Sequence, residues 1–354
     1  TVVDPDAVFV TTERANASRV STFLLKMVGV DFFDVRASAV AVSTPINQIC
    51  PEGMFNARGS MTLGSSNTFG AVCAHGEASL SEGGNGSYDL ATRLSATTTP
   101  VVLPVNASSP ATATEVKRTR SMQPILTPSI QPIYTALWSL YAPPTSSNPA
   151  THYSGPIPLH TLVNRDPTAP APVIGLPIQH IDGDYTISAA SQVTPGWVYL
   201  VDGRVTISGD MDLTGFVLVT SGGITLNPLA FENLRISDSM LVTAGTVDIP
   251  SGGDVSFGGG SDCQFGHYST YVLAEDTITA AANTISFSAT AVGSNQDIVI
   301  PDNWTSGGSM YFEAGGASTV GNNATVTGCK QAVHTQFEAQ FPGFGAQATA
   351  TVVQ

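Results

Sequence analysis

Four aspartates are the first residues here whose spacing could carry chemistry. Asp182 and Asp184 stand two residues apart, as do Asp210 and Asp212. Along a strand that spacing puts both carboxylates on one face, where they could share a Ca²⁺ ion. Paired acids with a basic residue would suit a β-helical enzyme that cleaves acidic polysaccharides. The base is what this sequence lacks, since Arg204 and Arg235 are the only cations between residues 181 and 328. The stretch from Gly252 to Asp262 has the Gly-Asp flavour of calcium-binding β-rolls, but a single copy without tandem repeats reads as turn chemistry. His75, His152, His160, His180, His267 and His334 are scattered and read as surface or hydrogen-bonding residues. There is no G-x-S-x-G, no H-E-x-x-H and no G-x-x-x-x-G-K-[ST]. The expectation is a protein with no catalytic residues and no cofactor, and with those four aspartates as weak calcium candidates.

Cys50, Cys73, Cys263 and Cys329 contain no C-x-x-C and read as two structural disulfides of an oxidising compartment. Three connectivities are open. Chain proximity favours Cys50–Cys73 and Cys263–Cys329, and the first pair would close a loop worth roughly 3 kcal/mol on the chain-entropy estimate.

The elements that would position these residues are β-strands. Of 354 residues only 11% are charged, against roughly a quarter in an ordinary soluble protein. The chain also holds 34 Gly and 23 Pro, while its 42% hydrophobic content is too high for a disordered segment. Net charge is −14, and nine of the 13 cations lie at or before Arg120, so no clustered surface suits a nucleic acid. The Lys117, Arg118, Arg120 group reads as a solvated turn. Five N-x-[ST] sequons, at Asn16, Asn85, Asn106, Asn303 and Asn323, are close to the number such a composition produces by chance. No apolar stretch reaches membrane-span length, so a membrane would be met only through an anchor upstream of Thr1.

The pattern divides the chain into five regions. Residues 1–44 read as a small α/β unit, with a strand at Val8–Thr11, a helix capped by Ser18 and ended by Gly29, and an alternating strand at Asp34–Val42. Residues 45–100 are a disulfide-stapled β segment. Residues 101–180 hold most of the prolines and form an extended connector, pinned to a neighbouring domain or subunit by Ile125, Ile130, Tyr134, Leu137, Trp138 and Tyr141. In residues 181–335 a repeat emerges. Tyr185-Thr-Ile-Ser, Val205-Thr-Ile-Ser and Ile224-Thr-Leu-Asn are 20 and 19 residues apart, interleaved with Trp197-Val-Tyr-Leu-Val and Phe216-Val-Leu-Val-Thr. Two strand series sharing one period mean one solenoid coil per period. We therefore expect a mainly β protein whose centre is an irregular right-handed β-solenoid (β-helix) of six or seven coils, with a β-sandwich as the alternative. Residues 336–354 are a C-terminal tail.

Several of these segments resemble one family. The run Asp6–Thr12, then Val20-Ser-Thr-Phe-Leu-Leu25, then Asp34-Val-Arg-Ala-Ser-Ala-Val-Ala-Val42 resembles the pilin-like segment of TadG-like proteins of the bacterial tight-adherence (Tad/Flp) pilus system. Cys50, Cys73, the proline-rich stretch, the Thr194–Gly209 coil and Gly328-Cys329-Lys330-Gln331 follow in the family's order. The resemblance implies a pilin-like N-terminal unit and a non-enzymatic, extracellular structural protein of a bacterial surface assembly. Its expected partners are other copies of itself, pilus or envelope proteins, and possible surface glycans. The alternative expectation is a polysaccharide lyase-like β-helical enzyme or a carbohydrate-binding surface module.

Overall fold

The computed structural model describes residues 7–14, 20–21, 32–33, 35–42, 53–89, 92–98, 126–127, 130–131, 134, 178–259, 268–281, 284–308, 310–328 and 351–353. It is mainly β with almost no helix, and it divides into two compact units, residues 1–48 with 345–354, and residues 49–344.

In the smaller unit Ala7–Arg14 pairs antiparallel with Val35–Val42 along its whole length, and the strands expected at Val8–Thr11 and Asp34–Val42 fall within this pair. Thr351–Val353 pairs antiparallel with the other edge of that strand, at Val40–Val42. The end of the region read as a tail is therefore a third strand. The helix expected from Ser18 onward does not begin as such, because Val20–Ser21 is a strand paired with Phe32–Phe33. The rest of that expected helix lies outside the described residues.

The larger unit is a β-solenoid of about nine turns, built from parallel sheets of ten, nine and eight strands. Each complete coil contributes one strand to each sheet in turn, while among the described residues the first coil lacks a strand in the eight-stranded sheet and the last supplies Arg93–Ala96 alone. Strands of the ten-stranded sheet begin at residues 178, 198, 217, 240, 270, 290 and 310, seven where six or seven coils were expected from residue 181 onward. The column does not stop there. Met310–Ala314 pairs in parallel with Gly53–Ala57, which pairs with Cys73–Gly76, which pairs with Arg93–Ala96. The segment set apart from the solenoid in the sequence thus supplies its last coils, stacked behind residues that follow it in the chain.

A column of inward side chains explains why the order holds. Tyr199, Leu218, Leu241, Val272, Val292, Phe312, Phe55, Ala74 and Leu94 occupy successive register positions, and all are buried. A solenoid coil cannot bury its inward face alone, so each one is stabilised only by its neighbours. At the joint between the two chain segments the contacts are aromatic. Phe55 stacks on Phe312 at 5.0 Å and meets Trp304 edge-on at 5.7 Å, geometries that add about 1 kcal/mol each beyond area burial.

Corners are held by small residues. A Cβ on Gly222 would lie 2.5 Å from the Gly203 carbonyl oxygen, and one on Gly245 would lie 2.2 Å from that of Gly222. Only glycine permits that backbone-on-backbone stack.

The topology also sets what the connector must do. Residue 98 belongs to the last coil and residue 178 to the first, so the two ends of the connector lie at opposite ends of the column. At the usual strand spacing that is a distance on the order of 45 Å.

Candidate functional site

The outward face of the ten-stranded sheet is where side chains with chemistry gather. Strands of the other two sheets alternate buried and exposed, as in Met211–Thr214 and Val247–Ile249. In the ten-stranded sheet Val217–Thr220, Met240–Thr243, Thr270–Ala274, Thr290–Ser294 and Met310–Ala314 are buried at every position. Strands buried on both faces lose the alternating pattern and become near-continuous apolar runs.

One outward column runs Leu200, Val219, Val242, Leu273, Gly293, Glu313, Asn56, His75 and Ser95 in consecutive register. Its first half is aliphatic. Its second half is a buried polar ladder that crosses the joint between the two chain segments, with Glu313, Asn56 and His75 all 1% exposed or less.

Glu313 holds the connector. Its Oε2 accepts hydrogen bonds from the Leu126 N–H at 3.0 Å and the Tyr311 hydroxyl at 2.6 Å. Oε1 accepts from the Thr127 N–H at 2.7 Å and the Thr127 hydroxyl at 2.7 Å. Thr127, Ile130, Gln131 and Tyr134 are helical, and the Ile130 N–H donates to the Leu126 carbonyl at 3.1 Å. The carboxylate thus satisfies the orphan N–H groups of a helix start, which would otherwise be stranded in the interior. Leu126 and Ile130 pack over Gly293, where a Cβ would meet them at 3.0 and 3.4 Å. The proline content of the connector argues against a helix, yet a short one forms here, with its first N–H groups held by Glu313. Burial pushes the Tyr311 hydroxyl well above its ordinary value, and the adjoining Glu313 carboxylate reinforces the effect.

Further along the ladder His75 is wholly buried, with Nδ1 2.8 Å from the Ser95 hydroxyl and Nε2 3.3 Å from that of Thr97. A neutral imidazole with one donor and one acceptor nitrogen suits two hydroxyls, which can each play either role. Burial pushes its pKa down to about 4, partly opposed by Glu77. The ring is therefore neutral at physiological pH and engaged at both nitrogens, a geometry that orders the last coils of the sheet.

A second buried acid faces inward. Ile300, Val320, Leu63 and Glu82 share one column of the nine-stranded sheet, so a carboxyl occupies the last position of an aliphatic row. Burial raises its pKa, and the polar groups of neighbouring Tyr88 and Gly86 only partly oppose the shift.

The aspartates picked out by spacing are placed differently. Gly183, with φ of +81°, turns the chain between Asp182 and Asp184. Asp182 lies 3.4 Å from His180 Nδ1, while Asp184 accepts the Arg204 N–H at 2.8 Å across the corner. Asp210, just before the strand Met211–Thr214, and Asp212 within it are both exposed on either side of buried Met211. Among the described residues no three His, Cys, Asp or Glu side chains are grouped to hold a metal ion. Cys73 is disulfide-bonded, and Cys50, Cys263 and Cys329 lie outside the described residues, as does the Lys117, Arg118, Arg120 group.

Three of the sequons acquire a structural explanation. Asn85, Asn303 and Asn323 have φ of +65°, +61° and +56°, sit exposed at equivalent corners, and are each followed by a buried residue and then an exposed Ser or Thr. Asparagine tolerates that left-handed conformation, and the alternation into the next strand supplies the rest of the motif.

No protein-family model, curated protein or solved structure matches this chain. Glu313, Asn56, Ser95 and Glu82 were not singled out from the sequence. The signal that could have found the first three is the mainly apolar strand series, Val-Leu-Val-Thr, Met-Leu-Val-Thr and Tyr-Val-Leu-Ala, interrupted at the same outward position by Glu313, Asn56, His75 and Ser95.

Proposed function

We propose that this chain is a non-enzymatic structural protein of a bacterial surface assembly, TadG-like, acting outside the cell in pilus assembly or adhesion. The observation that carries the reading is the continuous parallel column itself. Its polar groups at the strapped sheet are spent on holding the chain's own segments together, and its other two sheets present outward rows rich in Thr and Ser. Such a column is a rigid spacer with repetitive flat walls, suited to stacking and docking rather than to closing around a substrate. The resemblance of the N-terminal and Thr194–Gly209 segments to TadG-like proteins points the same way. Among the described residues no helix is long and apolar enough to cross a membrane.

The test is cross-linking of intact native cells followed by identification of the chain's neighbours. Surface exposure with pilus or envelope proteins as neighbours is the expected result. A soluble intracellular monomer would overturn it. Exposed Asp210 and Asp212, on either side of buried Met211, favour the second reading, a carbohydrate-active or carbohydrate-binding solenoid. Release of unsaturated sugars from pectin- or alginate-like polymers, lost in Asp210→Ala/Asp212→Ala, would replace the first reading with that one.

A further inference from the structure

On its last four coils the eight-stranded sheet turns a repeated pair of polar side chains to the solvent. Thr305, Thr325, Thr68 and Ser87 occupy successive register positions, and all four are exposed. Two residues before each of them stands Asn303, Asn323, Ser66 or Asn85, exposed and left-handed, with φ of +61°, +56°, +59° and +65°. These corners are tied to one another in the same way. The N–H of Asn303 donates to the Asn322 carbonyl at 2.8 Å, that of Asn323 to Ser65 at 2.9 Å and that of Ser66 to Gly84 at 2.8 Å. Behind them lie Trp304, Val326 and Phe69, all buried. The fold thus holds hydroxyl and amide groups on a fixed grid, with steps of about 4.8 Å from coil to coil and roughly 6 to 7 Å along each chain segment.

The chemistry of this grid excludes most partners. None of its side chains is charged, on a chain of net charge −14, so it selects neither an ionic polymer nor a charged lipid surface. The first strands of the same sheet differ, since Asp212, Arg235 and Asp254 are exposed there. No aromatic or Arg side chain stands among the grid's exposed positions to anchor a protein, as interface hot spots do, or to stack on a sugar ring. The aromatic residues of these coils, Trp304, Phe69 and Tyr88, are buried instead. What remains is a neutral array able to fix water. Because each pair repeats at the coil spacing, a water ordered on one coil has equivalents on the others. Immobilising a water costs up to about 2 kcal/mol, and at the surface of ice the waters are already immobile.

We infer that this face binds ice. The prism face of hexagonal ice sets its oxygen atoms in rectangular rows whose two repeats lie close to the two steps of the grid. A rigid array matched to a periodic surface loses little freedom on docking, which is the advantage of preorganisation. The left-handed corners supply that rigidity here, since they fix Asn303, Asn323, Ser66 and Asn85 in one backbone conformation. The three N-x-[ST] sequons on this sheet are then rows of the grid, an amide and a hydroxyl side by side. Ice binding is independent of the proposed role in pilus assembly or adhesion, and either can fail without the other.

Partition of the purified full chain into slowly grown ice, with osmometry on single crystals for thermal hysteresis, tests it. The expected result is enrichment in the ice, faceted crystals and a measurable hysteresis gap. Thr325→Tyr and Thr68→Tyr, which set a bulky ring in the middle of the grid, should each weaken enrichment about tenfold or more. Thr279→Tyr, a matched change at an exposed strand centre of the nine-stranded sheet, should leave it unchanged. Thermal melting followed by circular dichroism separates folding from binding, because all three variants alter exposed positions and should melt close to the parent. A chain excluded from ice that leaves crystals unshaped at every concentration overturns the proposal. So do Thr325→Tyr and Thr68→Tyr variants that melt like the parent and bind ice equally well, and so does an equal loss in Thr279→Tyr. Thr325-dependent binding to crystalline chitin or cellulose, by a chain excluded from ice, would overturn it in favour of a polysaccharide surface.

Discussion

The ten-stranded sheet and its two neighbours are turns of the same coils, yet they obey different rules. Thr225 and Asp248 on the nine-stranded sheet face outward into water, while Leu200 and Val219 face outward on the ten-stranded sheet and are fully buried. Backbone geometry does not account for this, because all three sheets are parallel and in register. The difference is that one sheet carries a strap. The described connector residues Leu126, Thr127 and Ile130 lie against it, anchored by Glu313. A solenoid can thus hide one wall by using its own linker, and the covered wall then tolerates side chains that an exposed edge or face would turn into an aggregation site.

The comparison is broken most forcefully by placing the same charge on both walls. Leu200→Asp should cost upwards of about 3 kcal/mol, since a carboxylate would be buried without a partner. Thr225→Asp should stay within about 0.5 kcal/mol of the parent. Urea denaturation of the two variants measures the contrast, and equal effects would show that the covered wall is not dry.

Next in size is Glu313→Ala. Removing the carboxylate strands two N–H groups and two hydroxyls, for a loss of about 3 kcal/mol. Limited proteolysis should then cleave within residues 99–177 at least several-fold faster, while the solenoid coils stay resistant. Uniform cleavage across the chain would mean that Glu313 supports the column and not the strap.

Two buried titratable groups of the last coils give smaller effects of opposite sign. His75 has a folded pKa of about 4, below its ordinary 6.5, so the unfolded chain binds the extra proton. Its contribution to stability is present above the unfolded value and is lost as pH falls from 6.5 through about 4. The melting temperature of His75→Gln should therefore depend less on pH than that of the parent across that window. Glu82 is shifted upward from its ordinary 4.5, so its protonated form is favoured in the fold. Its contribution is full below 4.5 and is lost as pH rises through the folded value. Glu82→Gln should gain stability at neutral pH relative to the parent and equal it in acid. A gain in acid instead would reverse the assigned shift.

Much of this was legible before the structure. The repeat of Val205-Thr-Ile and Ile224-Thr-Leu exposes the wet sheet, because alternation with a period of two is written locally. The Asp34–Val42 alternation likewise predicted the strand that pairs with Ala7–Arg14. Ile130 and Tyr134 stand out in the sequence as apolar anchors of the connector, and Ile130 is fully buried. Glu313 was invisible because its role depends on Leu126 and Thr127, which lie far from it in sequence. The helix expected from Ser18 misread Val20 for a related reason. Apolar residues at helical spacing also occur in strands, and pairing with Phe32–Phe33 decided the matter.

What the sequence determined by itself is the rule of a single coil: apolar residues inward, Thr and Ser outward, Gly and Asn at the corners, about 20 residues per turn. Each of those choices is enforced by local sterics or by burial within one turn. Only the tertiary structure decided the order of the coils. A parallel strand edge accepts any neighbour of the same grammar, so the position of residues 53–98 after residue 327 is not written in either segment alone. It follows from the stacking of Phe55 on Phe312 and from a connector long enough to carry the chain back to the beginning.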